Sequence, residues 1–189
     1  MSKIIVSFKI SYRELKSLLC IILMGMFAGL SIVVGRLLTI MPVPTIKISF
    51  TFLPNEYIYY LFGPTVGGIF GGILDILNLI VTPTGSYFFG FTLSGILTGV
   101  LFGLILYRKP VSLLRIFIAT LLRVLIIDLL MNTFWLTVMY GYDFMALLPM
   151  RALKNFIMLP IESILLFALI KGLEATGIPR FIRSLNKTE

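Results

Sequence analysis

The sequence predicts an all-α integral membrane protein, with six transmembrane helices and a structured, partly extended first outer loop. Composition and patterning carry that reading. Of 189 residues, 59% are hydrophobic and only 13% are charged. A soluble domain of this size has too little interior to hide so much apolar surface. Several runs approach or exceed about 18 apolar residues, the length that crosses a bilayer.

The elements follow in chain order within one membrane domain, residues 1–189. The opening MSKIIVSFKISYRELKSLLC is basic and mildly amphipathic. A long apolar segment comes next with no small-residue cleavage site, so the first span, about residues 15–40, reads as an uncleaved helix. The second and third spans, about 55–67 and 68–82, are short and meet in the glycine-rich FGPTVGGIFGG. Short or interrupted spans often mark a site, because irregular backbone at membrane depth is tolerated only against protein or a wet cavity. The remaining spans cover about 87–107, 111–139 and 149–172. Between the first two lies MPVPTIKISFTFLPNE. Its TIKISF alternates apolar and polar residues with β-branched side chains, which suits an extended strand, and Pro42, Pro44 and Pro54 bracket it. An ordered outer loop carrying Lys47 suits a lid over a cavity.

Positive charge sets the orientation. Lys3, Lys9, Arg13 and Lys16 precede the first span, and Arg108, Lys109 and Arg115 surround the connection between the fourth and fifth. Lys171, Arg180, Arg183 and Lys187 follow the sixth. These eleven of sixteen basic residues fall on one side, which is therefore cytoplasmic together with both termini. They account for the net charge of +8 without nucleic acid. Five are left over: Arg36, Lys47, Arg151 and Lys154 towards the outer face, and Arg123 well inside the fifth span.

Ionisable groups at membrane depth face the interior and mark pathways or ligand sites by default. Asp75 and Asn78 stand three apart on the short third span, so they share a face. Asp128, Asn132 and Trp135 recur at intervals of four and three on the fifth, and Arg151 and Asn155 are four apart on the sixth. Arg123 and Glu162 each lie about ten residues from the cytoplasmic end of their helices and are placed to form a structural ion pair. For Asp75 and Asn78 the plain alternative is an interhelical hydrogen bond. The short helix, and TPTGSYF directly after it, favour a ligand site. Trp135 serves equally well as an interfacial belt residue. Gly95, Gly99 and Gly103 form a small-residue stripe that suits close helix packing. Gly25 and Gly29, with Ala28 beside them, either pack internally or offer a docking face to another membrane subunit.

The chain has no histidine and a single cysteine, Cys20. Hydrolases of the Ser/His or Cys/His kind are thereby excluded, and the commonest metal ligand is missing. An intramembrane enzyme is a poor fit, because Asp75, Asp128 and Glu162 lie on three spans at different depths. A stand-alone channel or carrier is also weaker, since no inverted repeat is evident. No cofactor is implied.

Three stretches carry a resemblance: VVGRLLTIMPVPTIKISFTFLP, LFGPTVGGIFGGILDILNLIVTPTGSYFFGFTLSGILTGVLFGLILYRKP and RALKNFIMLPIESILLFALI. Together they resemble the substrate-binding S component of energy-coupling factor (ECF) vitamin transporters, most of all its folate-specific branch. The resemblance runs from about residue 20 to 172. It implies six helices in a bacterial cell membrane, both termini cytoplasmic, and an outward-opening pocket under the first outer loop. It implies as partners a transmembrane coupling subunit and two cytoplasmic ATPases. The S component itself hydrolyses nothing, and the chain has no GxxxxGK[ST] loop. Family members carry a small-residue motif on the first helix that docks on the coupling subunit, often two alanines four apart. The matching positions here are Gly25 and Gly29 around Ala28.

Folate, as the resemblance implies it, accounts for the leftover charges. Its pterin ring presents an amino group and a ring N–H side by side, and one carboxylate accepts both. Asp75 is the candidate, with Asn78 reading another edge of the ring. Trp135, Tyr87 and Phe89 are available to stack on it, and Arg36, Lys47 and Arg151 are placed for the two carboxylates of the glutamate tail. The main competitor is the same architecture with riboflavin, pantothenate or a thiamine precursor. A neutral, flavin-like ligand has no need of three basic residues at the mouth.

Overall fold

The computed structural model describes residues 3–43, 46–81 and 87–185. The amphipathic opening forms a helix of its own, α1 (Lys3–Glu14), ahead of α2 (Leu18–Leu37). Ser17 separates them with the extended backbone of a helix N-cap, φ −73° and ψ 131°. The first long helix thus starts at Leu18 rather than near residue 15. Thr39–Val43 (β1) and Ile46–Ser49 (β2) pair antiparallel, with Thr39 opposite Ser49 and Ile40 opposite Ile48. A hydroxyl hydrogen bond from Thr39 to Ser49, 2.8 Å long, ties the open end.

The next helix, α3 (Phe52–Val81), is interrupted at Gly63, where φ is 85° and ψ −167°, and Pro64 follows directly. Only glycine adopts such a backbone readily. A Cβ on Gly67 would lie 3.0 Å from Cδ1 of Tyr59, and one on Gly71 3.3 Å from the Tyr59 hydroxyl. In one straight helix these pairs would be roughly 12 and 18 Å apart along the axis. The chain therefore folds back at Gly63 into two limbs, 52–62 and 64–81. The expected boundary between second and third spans, at 67–68, moves upstream. Gly63 and Pro64 supply the break, while Gly67, Gly68, Gly71 and Gly72 stay helical and serve packing.

Their partner is α4 (Phe89–Leu106). A Cβ on Gly67 would meet the Gly99 carbonyl oxygen at 2.6 Å, and one on Gly95 the Gly71 oxygen at 2.8 Å. The stripe on α4 is thus a packing face, as its spacing suggests.

The helix α1 lies against the fold-back. Ser11 is fully buried. Its hydroxyl donates to the Phe62 carbonyl (2.6 Å) and accepts from the N–H groups of Thr65 (3.0 Å) and Val66 (3.1 Å). A helix break leaves last-turn carbonyls and first-turn N–H groups without partners, and here one side chain from another helix takes both kinds. The Thr65 hydroxyl donates to the Phe8 carbonyl at 2.9 Å. Glu14 extends the clamp beyond the end of α4, pairing with Arg108 at 2.9 Å and accepting from Tyr107.

The chain continues through α5 (Leu113–Leu122), a π-helical stretch (Arg123–Met131) and α6 (Asn132–Tyr140) without a break. Gly141, with φ 71°, closes this rod. The last long helix, α7 (Phe144–Ala175), begins ahead of the expected residue 149 because Asp143 caps it, accepting from the Met145 N–H at 3.0 Å. A short α8 (Ile178–Leu185) follows. Among the described residues, four helices are each long and apolar enough to cross a membrane: α2, α3, α4 and α7. Tyr60, Phe62, Phe70, Phe102 and Leu166 fill the core, while large apolar residues such as Leu18, Met26 and Leu153 stay exposed around the perimeter. An apolar perimeter of this extent suits lipid, not water.

Candidate ligand-binding site

The close approach of Gly71 and Gly95 sets the turns beyond them face to face. There the Thr92 hydroxyl donates to Asp75 Oδ2 at 2.7 Å, and the Tyr87 hydroxyl lies 3.2 Å from the same Thr92 oxygen. Asp75 and Asn78 are both half-buried. Trp135 donates its indole N–H to Ser94 Oγ at 3.2 Å and packs on Phe88 with ring centroids 5.6 Å apart. Gly90 leaves room for the indole, since a Cβ there would lie 2.5 Å from Trp135 Cδ2. Thr92 and Ser94 stand two residues apart, roughly 200° around a helix. The polar partners of Asp75 and of Trp135 therefore lie on opposite flanks of α4. Phe89 is not among the rings against Trp135. It is 64% exposed, and Phe88, held by the extended backbone before α4, takes that place.

Deeper in, Arg123 gathers three carboxylates. It hydrogen-bonds to Glu162, and lies 3.5 Å from Asp128 Oδ2 and 3.9 Å from Glu56 Oε1. The expected Arg123–Glu162 pair is thus present, and it has company. The expectation that Asp128 and Glu162 lie at different depths is corrected, because one guanidinium reaches both. The π winding is the reason. In an α-helix, residues five apart point about 140° away from each other, whereas the i→i+5 bonding of a π-helix brings them to one side. Arg123 and Asp128 are such a pair. The same register has the Asn132 N–H bonded to the Ile127 carbonyl. The Asp128 carbonyl accepts from the Thr133 hydroxyl (3.4 Å) and from Arg151 Nη2 (3.3 Å). Asn132 also donates to Asp128 Oδ1 at 3.3 Å.

The three cations of the expected collar stand on three different elements. Arg36 is exposed in the last turn of α2. Lys47 belongs to β2, and its side chain lies outside the described residues. Arg151 is half-buried and bonded to the Asp128 carbonyl. On α2, Gly25 and Gly29 are exposed, and a Cβ on either would meet nothing within 4 Å. Ala28 is buried, so it does not share their face. Residues four apart on a helix lie one above the other, while a residue three along from Gly25 is turned towards the core side. A cavity of about 430 Å3 opens between α2, α3 and α7, but its walls are apolar, including Phe27, Leu30, Val34, Phe50 and Leu169. It is remote in chemistry from the polar groups above.

The family model described as ECF transporter, substrate-specific component, matches residues 20–170. The chain belongs to this family. It is 34% identical over 173 residues to the folate transporter FolT of Clostridium novyi (strain NT), covering 92% of this chain and 100% of that protein. It is 29% identical over 147 residues to FolT of Leuconostoc mesenteroides subsp. mesenteroides, covering 75% and 78%. A crystal structure of FolT bound with folic acid superposes with a TM-score of 0.75 at 33% identity, covering 81% of this chain and 93% of that one.

For an S component, the groups that sequence reasoning missed are as telling as those it found. Glu56, 2% exposed, was legible as a carboxylate within the apolar FLPNEYIYYLF. Thr92 and Ser94 gave no signal, since hydroxyls are common in membrane helices and only the partners on α3 and α6 single these two out. Phe88 was masked by its neighbour. Lys154 was noted as a leftover cation but given no role.

Proposed function

We propose that this S component binds folate from the outer side of the membrane and delivers it through a transmembrane coupling subunit driven by two cytoplasmic ATPases. The observation that carries this is the likeness, at 33% identity and a TM-score of 0.75, to a FolT bound with folic acid. Six crossings with both termini in the cytoplasm fit the fold. The two limbs of α3 count as two, the continuous 113–140 rod as one, and α2, α4 and α7 supply the rest. The β1–β2 ribbon then lies on the outer side, over the pocket.

In this reading Asp75 and Asn78 take the donor edge of the pterin, with Tyr87 beside them through Thr92. Trp135 and Phe88, rather than Phe89, offer the stacking surface. Arg36, Lys47 and Arg151 form the collar for the glutamate tail. The exposed Gly25/Gly29 face of α2 receives the coupling subunit, because only small residues let two backbones approach closely. Mass spectrometry of ligand released from the purified chain is the direct test. A folate is expected, and a flavin, pantothenate or thiamine precursor in its place would overturn the reading.

A further inference from the structure

The helix α1 has two faces of different chemistry, and the fold employs one of them. Its inward face carries Ser11 and Glu14, both buried. They hold the turn of α3 and the end of α4. A Cβ on Gly63 would lie 2.8 Å from the Tyr107 ring, so α1 occupies the end of the bundle where these two meet. Opposite Ser11 stand Ile5, Lys9, Tyr12 and Arg13, within about 100° of one another around the helix. All four are exposed. Lys16, just past the helix, is exposed too, its ammonium 5.5 Å from the centre of the Tyr12 ring. The outward face is thus basic and apolar together.

Among the described residues, every carboxylate is engaged elsewhere. Glu14 accepts from Tyr107 and Arg108, and Glu56, Asp128 and Glu162 surround Arg123. Asp75 accepts from Thr92, Asp143 caps α7, and Glu174 accepts from Tyr60. None of these lies within ion-pair distance of Lys9, Arg13 or Lys16. A face with three cations and no acid complements an anionic surface. Ile5 and Tyr12 decide which kind. A basic helix with apolar side chains among its cations settles at the headgroup level of a bilayer, whereas a soluble polyanion offers those side chains nothing. The face also runs on into the lipid-facing perimeter, through the exposed Leu18 and Ile22 at the start of α2.

We propose that the outward face of α1 binds anionic phospholipid headgroups in the plane of the membrane, with Ile5 and Tyr12 inserted beside them. Lys9, Arg13 and Lys16 extend their stems along the apolar surface to reach the phosphates. Ser11 grips the α3 turn from the opposite face, so the lipid contact steadies the fold-back as well as the helix.

The test is the melting temperature of the full chain in nanodiscs of phosphatidylcholine alone or mixed with phosphatidylglycerol, followed by Trp135 fluorescence. At low salt wild type should melt roughly 6–12 °C higher in the mixture, with the three cations contributing about 2–4 °C each. Salt should shrink the gain. The combined variant Lys9→Gln, Arg13→Gln, Lys16→Gln should lose most of it. A second measurement does not depend on that variant folding. A fluorophore on Tyr12→Cys, with the buried Cys20 left unlabelled, should be quenched by brominated phosphatidylglycerol and spared by aqueous iodide. Equal melting of wild type in both lipids, or a gain that the combined variant keeps, would overturn the assignment. Quenching by iodide alone would do so too, and would give the face to a soluble partner.

Discussion

Removing the Ser11 hydroxyl tests how the fold-back in α3 is held. Ser11→Ala deletes three hydrogen bonds at a fully buried point, those to Phe62, Thr65 and Val66. The point is fully buried, so the three backbone groups lose this partner away from solvent. A hydrogen bond contributes a net of about 1 kcal/mol, and a buried group left without one costs about 1–3 kcal/mol. The expected loss is therefore about 3 kcal/mol or more. For a protein of this size each kcal/mol lowers the melting temperature by about 2–4 °C, which predicts a drop of roughly 6–12 °C. The chain has a single tryptophan, Trp135, whose fluorescence follows melting in detergent. Thr65→Val is the internal comparison, because it removes just the 2.9 Å bond to the Phe8 carbonyl and should cost about 1 kcal/mol. If Ser11→Ala melts no lower than Thr65→Val, the α1 clamp does not hold the break, and Gly63 and Pro64 shape it alone.

Asp75→Asn keeps the shape but removes the charge and exchanges an acceptor for a donor. Folate and pteroate should weaken alike, by about tenfold to more than a hundredfold, and unchanged affinity in titration would leave Asp75 as an interhelical tie to Thr92. Gly29→Leu adds bulk where nothing stands within 4 Å. Folate binding by the isolated chain should survive while co-purification with the coupling subunit is lost, and loss of folate binding would show that this face packs internally. Asp143→Cys should react with an impermeant thiol reagent from outside and Lys109→Cys only from inside; the opposite pattern would invert the topology and the lid with it.

Much of this was legible in the sequence, and the misses have physical causes. Composition and run length identified a membrane protein, and the Arg123–Glu162 pair followed from placing both residues at similar depth. The last span was placed from about residue 149, whereas Asp143 had already capped the helix. The turn in α3 was misplaced because five glycines crowd the region and only one of them has a positive φ. Nothing in RVLIIDLLM announces π winding, so Asp128 was read on an α-helical stripe with Trp135. In the structure Asp128 turns to Arg123, and Trp135 bonds to Ser94 on α4. Side-chain partners on distant elements are set by tertiary packing, and periodicity within one helix does not encode them.

The fold-back at Gly63 also bears on the proposed transport. The 52–62 limb rises only about 16 Å, roughly half of a hydrocarbon core about 30 Å thick, whereas α2 beside it is long enough to cross the whole. In the proposed orientation, the ribbon joining their upper ends is set down into the thickness of the bilayer. A ligand bound beneath it, as proposed, would have covered about half the permeability barrier before any helix moved. What would then remain for the proposed transport is the short lower half, closed by the same turn that Ser11 pins in place.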